Sequence, residues 1–370
     1  MRLPNPLGRL PWLALAVVAL LFAMWSGLLR WGWQLPRLQP VFLVAHGPLM
    51  VSGFLGTLIA LERAVVLNQR WMYLAPLWSG FGSLALIASS SRPAGPPLIT
   101  LGSVVLVLVF AVIISRQAAP FTLVMGLGAL VWLVGNLLWL TGTPLFHVVL
   151  WWSGFLVLTI AGERLELSRL RRLSPFGQAV FGVSAVLLVT GLILSVIEYE
   201  DGVRLVGLTL LALALWLLQY DIARRTVRQH GLTRFIAIAL LAGYVWLGVG
   251  GVLALLFRGV PAGPRYDAML HTVYLGFTFS MIFGHAPIIF PAVLGRPITY
   301  RPAFYLHLLL LHFSLVMRVS GDLTGGGDVR RWGGLLNVIA LLFFLANTLR
   351  SLWRGPTQDD NAKSGRPAEK

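Results

Sequence analysis

Seven histidines and no cysteine define the metal-ligand inventory of this 370-residue chain. Two of the histidines open copies of one stretch. Residues 46–63 read HGPLMVSGFLGTLIALER, and residues 147–164 read HVVLWWSGFLVLTIAGER. At an offset of 101 residues, ten of eighteen positions match without a gap. His46 meets His147, Ser52-Gly53-Phe54-Leu55 meets Ser153-Gly154-Phe155-Leu156, and Glu62-Arg63 meets Glu163-Arg164. A looser third copy, HTVYLGFTFSMIFGHAP, opens at His271 and keeps Gly276-Phe277. Neutral imidazole ligates haem iron, copper and zinc. A histidine inside a membrane span is a functional candidate by default. The chemistry expected of His46, His147 and His271 is therefore metal or haem binding, with a carbonyl-bonded core histidine as the structural alternative. The lack of cysteine removes disulfides, cysteine-ligated iron–sulfur clusters, thiolate copper centres and covalent c-type haem.

The elements that must position these residues are membrane helices. The chain is 57% hydrophobic and 11% charged, which describes a polytopic membrane protein. Apolar runs long enough to cross a bilayer fall near 11–33, 41–61, 71–91, 97–115, 120–140 and 145–162. Six more fall near 176–197, 203–220, 235–257, 266–291, 302–320 and 332–350. Lipid offers no partner to the backbone, so each run must be a helix. The first is read as a retained helix and not as a cleaved signal peptide. With the N-terminus inside, 20 Lys and Arg residues lie in inside segments and 9 outside. Dense inside groups are Arg164, Arg169, Arg171 and Arg172, then Arg224, Arg225, Arg228 and Arg234. The formal charge of +16 is thus read as topology and not as a nucleic-acid surface, with both termini cytoplasmic. Residues 1–354 form one transmembrane domain, and the polar tail 355–370 is expected to be disordered.

Four helices separate each of the three histidines from the next, so their helices run the same way. This predicts an all-α protein of twelve transmembrane helices in three four-helix pseudo-repeats, about 11–115, 116–222 and 234–353. All three histidines then fall near the outer face. At about 100° per residue, His46, Gly53, Thr57 and Ala60 share one face, and His271, Thr278, Ile282 and His285 share another. The small residues below each histidine would admit a flat macrocycle, or else tight helix packing.

Other residues supply weaker signals. His285, with His307 or His312, would hold a second metal site at an inner level. His230 lies in an arginine-rich loop and reads as surface. Glu62-Arg63 and Glu163-Arg164 read as inner anchors that pair across helices, or as a proton inlet. Arg318, near an outer helix end, would hold a haem propionate or snorkel to the interface. Tyr274, one turn after His271, would donate a hydrogen bond near the outer site. Trp31, Trp33, Trp151 and Trp152 read as an interfacial belt.

Twelve helices in three arcs, with histidines on the second, sixth and tenth, resemble subunit I of the haem–copper oxidases. The closer likeness is to the NnrS family of haem- and copper-containing bacterial membrane proteins linked to nitric oxide tolerance. It rests on His46 to Phe54, on His271, Gly284-His285 and Gly295-Arg296-Pro297, and on Arg318-Val319. Two features depart from the oxidase pattern. The seventh run carries no histidine, and His271 and His285 stand far apart. A haem-binding relative, and not an oxygen-reducing binuclear centre, is what the likeness implies. The expected protein is a multi-pass bacterial inner-membrane haem protein with redox or diatomic-gas chemistry. His46 and His271 would be the axial ligands of a non-covalent haem, b-type or other, and His147 would hold a second metal such as copper. Electrons would come from quinol or a redox partner protein. The competing expectation is a metal-ion or proton-coupled transporter that uses the same histidines.

Overall fold

The computed structural model describes residues 6–36, 40–88, 94–168, 173–296 and 298–353. Arg169, Arg171, Arg172, Pro297 and the tail 355–370 lie outside them. Among the described residues the chain is helical, with no strand. Twelve helices are long and apolar enough to cross a membrane. They are α1 (Leu10–Arg30), α2 (His46–Leu67), α3 (Arg70–Ala88), α4 (Gly95–Arg116), α5 (Pro120–Leu140) and α6 (Leu145–Ser168). The second half comprises α7 (Pro175–Ile197), α8 (Tyr199–Tyr220), α9 (Gly231–Phe257), α10 (Pro264–Leu294), α11 (Phe304–Thr324) and α12 (Gly327–Leu352). The chain is a multi-pass membrane protein by this count, and twelve crossings set Leu10 and Leu352 at the same end of the bundle, called below the terminus-bearing end.

Local sequence explains the helix limits. Proline stands in the first turn of α1, α4, α5, α7 and α10, where its missing N–H costs nothing. Left-handed residues end α2 at Asn68, α10 at Gly295 and α11 at Gly325. Ser174 caps α7 by accepting from the Gly177 N–H at 3.1 Å. The outward faces stay apolar, as at Phe176, Val186, Leu256 and Leu309. An apolar outer surface is what lipid requires.

Neighbours in sequence pack as antiparallel pairs, most extensively α5 on α6, α11 on α12, α8 on α9, α7 on α8 and α3 on α4. The chain closes on itself where α1 touches α12. The three helices that carry His46, His147 and His271 lie inside and meet one another. α6 is the most enclosed, with 18 of its 24 residues buried. Phe54 of α2 stacks on Phe279 of α10 at 5.9 Å. Tyr274 of α10 donates to the Val149 carbonyl of α6 at 3.0 Å and accepts from Ser153 at 2.8 Å. Arg63 of α2 pairs with Glu163 of α6.

Two of these helices are not α-helical throughout. Leu49–Gly56 in α2 and Thr272–Phe279 in α10 wind as π-helix, whereas α6 is α-helical from end to end. A π segment bonds i→i+5 and is frequent at functional sites. Its glycine accepts a neighbour in each case. A Cβ on Gly53 would stand 2.6 Å from Ser83 Oγ, and one on Gly276 would stand 2.5 Å from Trp246 Cβ. The wider winding also corrects the faces drawn at 100° per residue. His46, Gly53, Thr57 and Ala60 do not keep one straight stripe across eight π residues, nor do His271, Thr278, Ile282 and His285. The interfacial belt needs a correction as well. Trp151 and Trp152 are 5% and 0% exposed, and Trp152 donates to Asn136 at 2.9 Å. Packing between α5 and α6 takes these two rings inward.

Candidate functional site

His46 begins α2 and His271 lies two turns into α10, just before its π segment. Their rings lie near-parallel, with centroids 6.3 Å apart and planes 26° apart. Both rings are oriented by the backbone. His46 Nδ1 lies 2.8 Å from the Ala23 carbonyl, and His271 Nδ1 lies 2.9 Å from the Asp267 carbonyl. A carbonyl only accepts, so each Nδ1 carries the proton and each Nε2 keeps its lone pair. That tautomer presents Nε2 as a ligand atom. Two imidazoles that share one metal, with bonds of roughly 2.0–2.1 Å, have ring centres about 6 Å apart. The observed separation suits such a pair.

Gly27 of α1 makes room for the first ring. A Cβ there would stand 3.0 Å from His46 Cε1 and Nδ1. Gly27→Leu is expected to push the imidazole off the Ala23 carbonyl and to cost about 1–3 kcal/mol by overpacking. Thermal unfolding of the purified variant in detergent measures this.

Arg318 of α11 joins the second ring. Its Nε and one terminal nitrogen donate to the two Asp267 oxygens at 2.7 and 2.9 Å. The same terminal nitrogen lies 3.1 Å from His271 Nε2. The guanidinium also lies 5.0 Å over the Trp31 ring, and Arg330 lies 4.6 Å from that ring. Arg330 in turn reaches Asp322 at 3.5 Å. Arg318 is thus a fixed, buried partner of the site and not a snorkelling side chain. The sequence reading missed Asp267, although its spacing of four residues from His271 places it one turn away.

The remaining candidates have separate partners. His147 Nδ1 bonds to the Ser195 carbonyl of α7 at 2.9 Å, and its ring packs on Phe146 and Tyr199. The 46/271 pair is therefore a pair of helices α2 and α10, with His147 engaged toward α7 and α8. Tyr274 bonds to α6 and not to an imidazole. His285 Nδ1 bonds to the Met281 carbonyl at 2.7 Å, and its Nε2 lies 3.4 Å from Arg164. His307 sits among Phe235, Phe283, Phe304 and Phe344, with Nδ1 3.4 Å from Asn347. His312 Nδ1 accepts from the Trp246 indole at 3.0 Å. Its proton must then sit on Nε2, which leaves that tautomer no lone pair for a metal. Among the described residues, no three His, Asp or Glu side chains converge to hold a metal ion.

Arg63, Glu163 and Arg164 pair across helices as expected, whereas Glu62 meets its own neighbour Arg63. Arg63 reaches Glu163 and keeps a longer 3.8 Å contact with its neighbour Glu62. Arg164 forks onto Asp221 at the end of α8, at 2.7 and 3.0 Å. Asp221 was not foreseen. Its signal was a lone acid directly after an apolar run.

No curated protein matches the chain. Residues 9–353, which take in all twelve helices, match the profile described as Domain of unknown function (DUF8744), and the chain belongs to that family.

Proposed function

We propose that this chain is a haem-binding membrane protein that carries electrons, with the haem held between α2 and α10 by His46 and His271. The observation that supports this reading is the near-parallel pair of imidazoles 6.3 Å apart, both with Nδ1 bonded to backbone, where Nε2 of His271 accepts from Arg318. A haem held by both imidazoles would supply one-electron redox chemistry, which favours electron transfer over gas binding. The chain's own residues then do three things. Ala23 and Asp267 carbonyls fix the two rings in the ligating tautomer. Arg318 keeps a positive charge beside the site while anchored on Asp267; ligation at His271 Nε2 would replace its 3.1 Å contact. Trp31 and the surrounding apolar helices limit water at the pair.

The wider reading includes a three-fold, four-helix pseudo-repeat like that of the haem–copper oxidases, and kinship with NnrS proteins. It is supported by mutual contact of α2, α6 and α10 and by closure of α1 on α12. It also includes the bacterial inner membrane with cytoplasmic termini, supported by the placement of Lys and Arg. Copper at His147 and a quinol or protein donor belong to the same proposal. A transporter is the second reading, favoured by the buried Arg164–Asp221 pair at the terminus-bearing end.

An absorption spectrum separates the two. The purified protein is expected to show a Soret band that shifts on reduction, with haem near one per chain. A colourless, metal-free protein of full length and good dispersity overturns the haem proposal and leaves the transporter.

A further inference from the structure

A repeated charge pattern has one missing member at the terminus-bearing end of the bundle. The π segments of α2 and α10 correspond at an offset of 223 residues, Leu49–Gly56 with Thr272–Phe279. Gly53-Phe54 then meets Gly276-Phe277. The same offset sets His285 at the place of Glu62, and Ala286 at the place of Arg63. α6 has Glu163 and Arg164 there. The three inner helices thus carry Glu, Glu and His at one position, and Arg, Arg and Ala at the next.

The contacts follow that order around the bundle. Arg63 of α2 pairs with Glu163 of α6. Arg164 of α6 reaches His285 of α10 at 3.4 Å. The third step, from position 286 to Glu62, has no cation because the residue is alanine. Among the described residues Glu62 is left with its neighbour Arg63 at 3.8 Å, and that guanidinium already serves Glu163. Arg164 is held by both oxygens of Asp221, with Tyr244 beside them. Glu166, one turn on in α6, adds negative potential at Arg63 and Glu163.

His285 brings no charge to offset Glu62 in this state. Its Nδ1 proton is on the Met281 carbonyl, and its Nε2 is an acceptor toward Arg164. Glu62 and His285 lie within electrostatic reach of each other. Glu62 is 24% exposed and stands five residues from the end of α2. Among the described residues it is therefore a carboxylate in excess of its cations, close to the end of its helix.

We propose that Glu62 is a proton-binding site, tuned by His285, which takes up one proton from the aqueous phase at the terminus-bearing end. The proton adds to a carboxylate oxygen and removes the excess negative charge, and no other bond changes. The site joins the two helices that carry the imidazole pair at their other ends. Proton binding here needs no haem there, so the two proposals fail separately.

Infrared difference spectra of the purified full chain across a pH series test this. The wild type is expected to show a carboxylic-acid carbonyl band that follows one protonation. Glu62→Gln should remove it. His285→Gln should move its midpoint by about one pH unit or more. Ala286→Arg, which supplies the missing cation, should suppress the band by holding the carboxylate ionised. A wild type with no titrating carboxyl band overturns the proposal. So does a Glu62→Gln protein with an unchanged band or, should that variant not fold, His285→Gln and Ala286→Arg proteins with unmoved midpoints.

Discussion

His46→Ala and His271→Ala are each expected to lose most of the bound haem, with a fall in retention of tenfold or more. Each variant removes one of the two Nε2 atoms proposed as ligands. A factor of ten corresponds to about 1.4 kcal/mol, which is small against a lost iron–nitrogen bond. Added imidazole should restore the Soret band in both, because it enters the space that the side chain leaves. His271→Met should keep haem but raise its reduction potential, since a thioether partner raises the potential relative to a second imidazole. His147→Ala should retain full haem, because that ring is committed to Ser195, Phe146 and Tyr199. Pyridine haemochrome assay and redox titration read these results. Full haem content in both the 46 and 271 variants would end the assignment.

Arg318→Met is expected to destabilise the bundle by about 3–5 kcal/mol, because it strands the Asp267 carboxylate without its two charge-assisted donors. The pair is well enclosed, with side chains 7% and 21% exposed. Arg318→Lys should recover only part of the loss. A point charge cannot make the fork that spans both Asp267 oxygens. Arg318→Met combined with Asp267→Leu should cost less than Arg318→Met alone, since no carboxylate is then left unpaired. Thermal unfolding in detergent gives the ordering. A double variant less stable than Arg318→Met would show that Asp267 acts through some contact other than Arg318.

The closest sequence kinship and the closest structural kinship fall on different helices. α2 and α6 share ten of eighteen residues, yet α6 lacks the π segment. α2 and α10 share little beyond Gly-Phe, yet both have eight π residues and their histidines and phenylalanines meet. Ser83 and Trp246 press on the glycines of the two π segments. Leu192 presses as closely on Gly154, yet α6 stays α-helical, so the glycine contact does not select the winding.

The twelve helices, their approximate limits and their common direction at His46, His147 and His271 were all readable from the chain. Hydropathy and chain length act locally, and a bilayer leaves the backbone one solution. The cross-helix use of Arg63 was readable too, since adjacent helical residues point apart. The partners were not. Nothing near His46 in sequence indicates His271, more than 200 residues away, and nothing near Arg318 indicates Asp267. Tertiary packing chose α2 with α10 for the imidazole pair, sent His147 toward α7, and gave His285 to Arg164. It did so because the depth of a residue follows from counting along its own helix, whereas its partner depends on which helices adjoin and how each is wound.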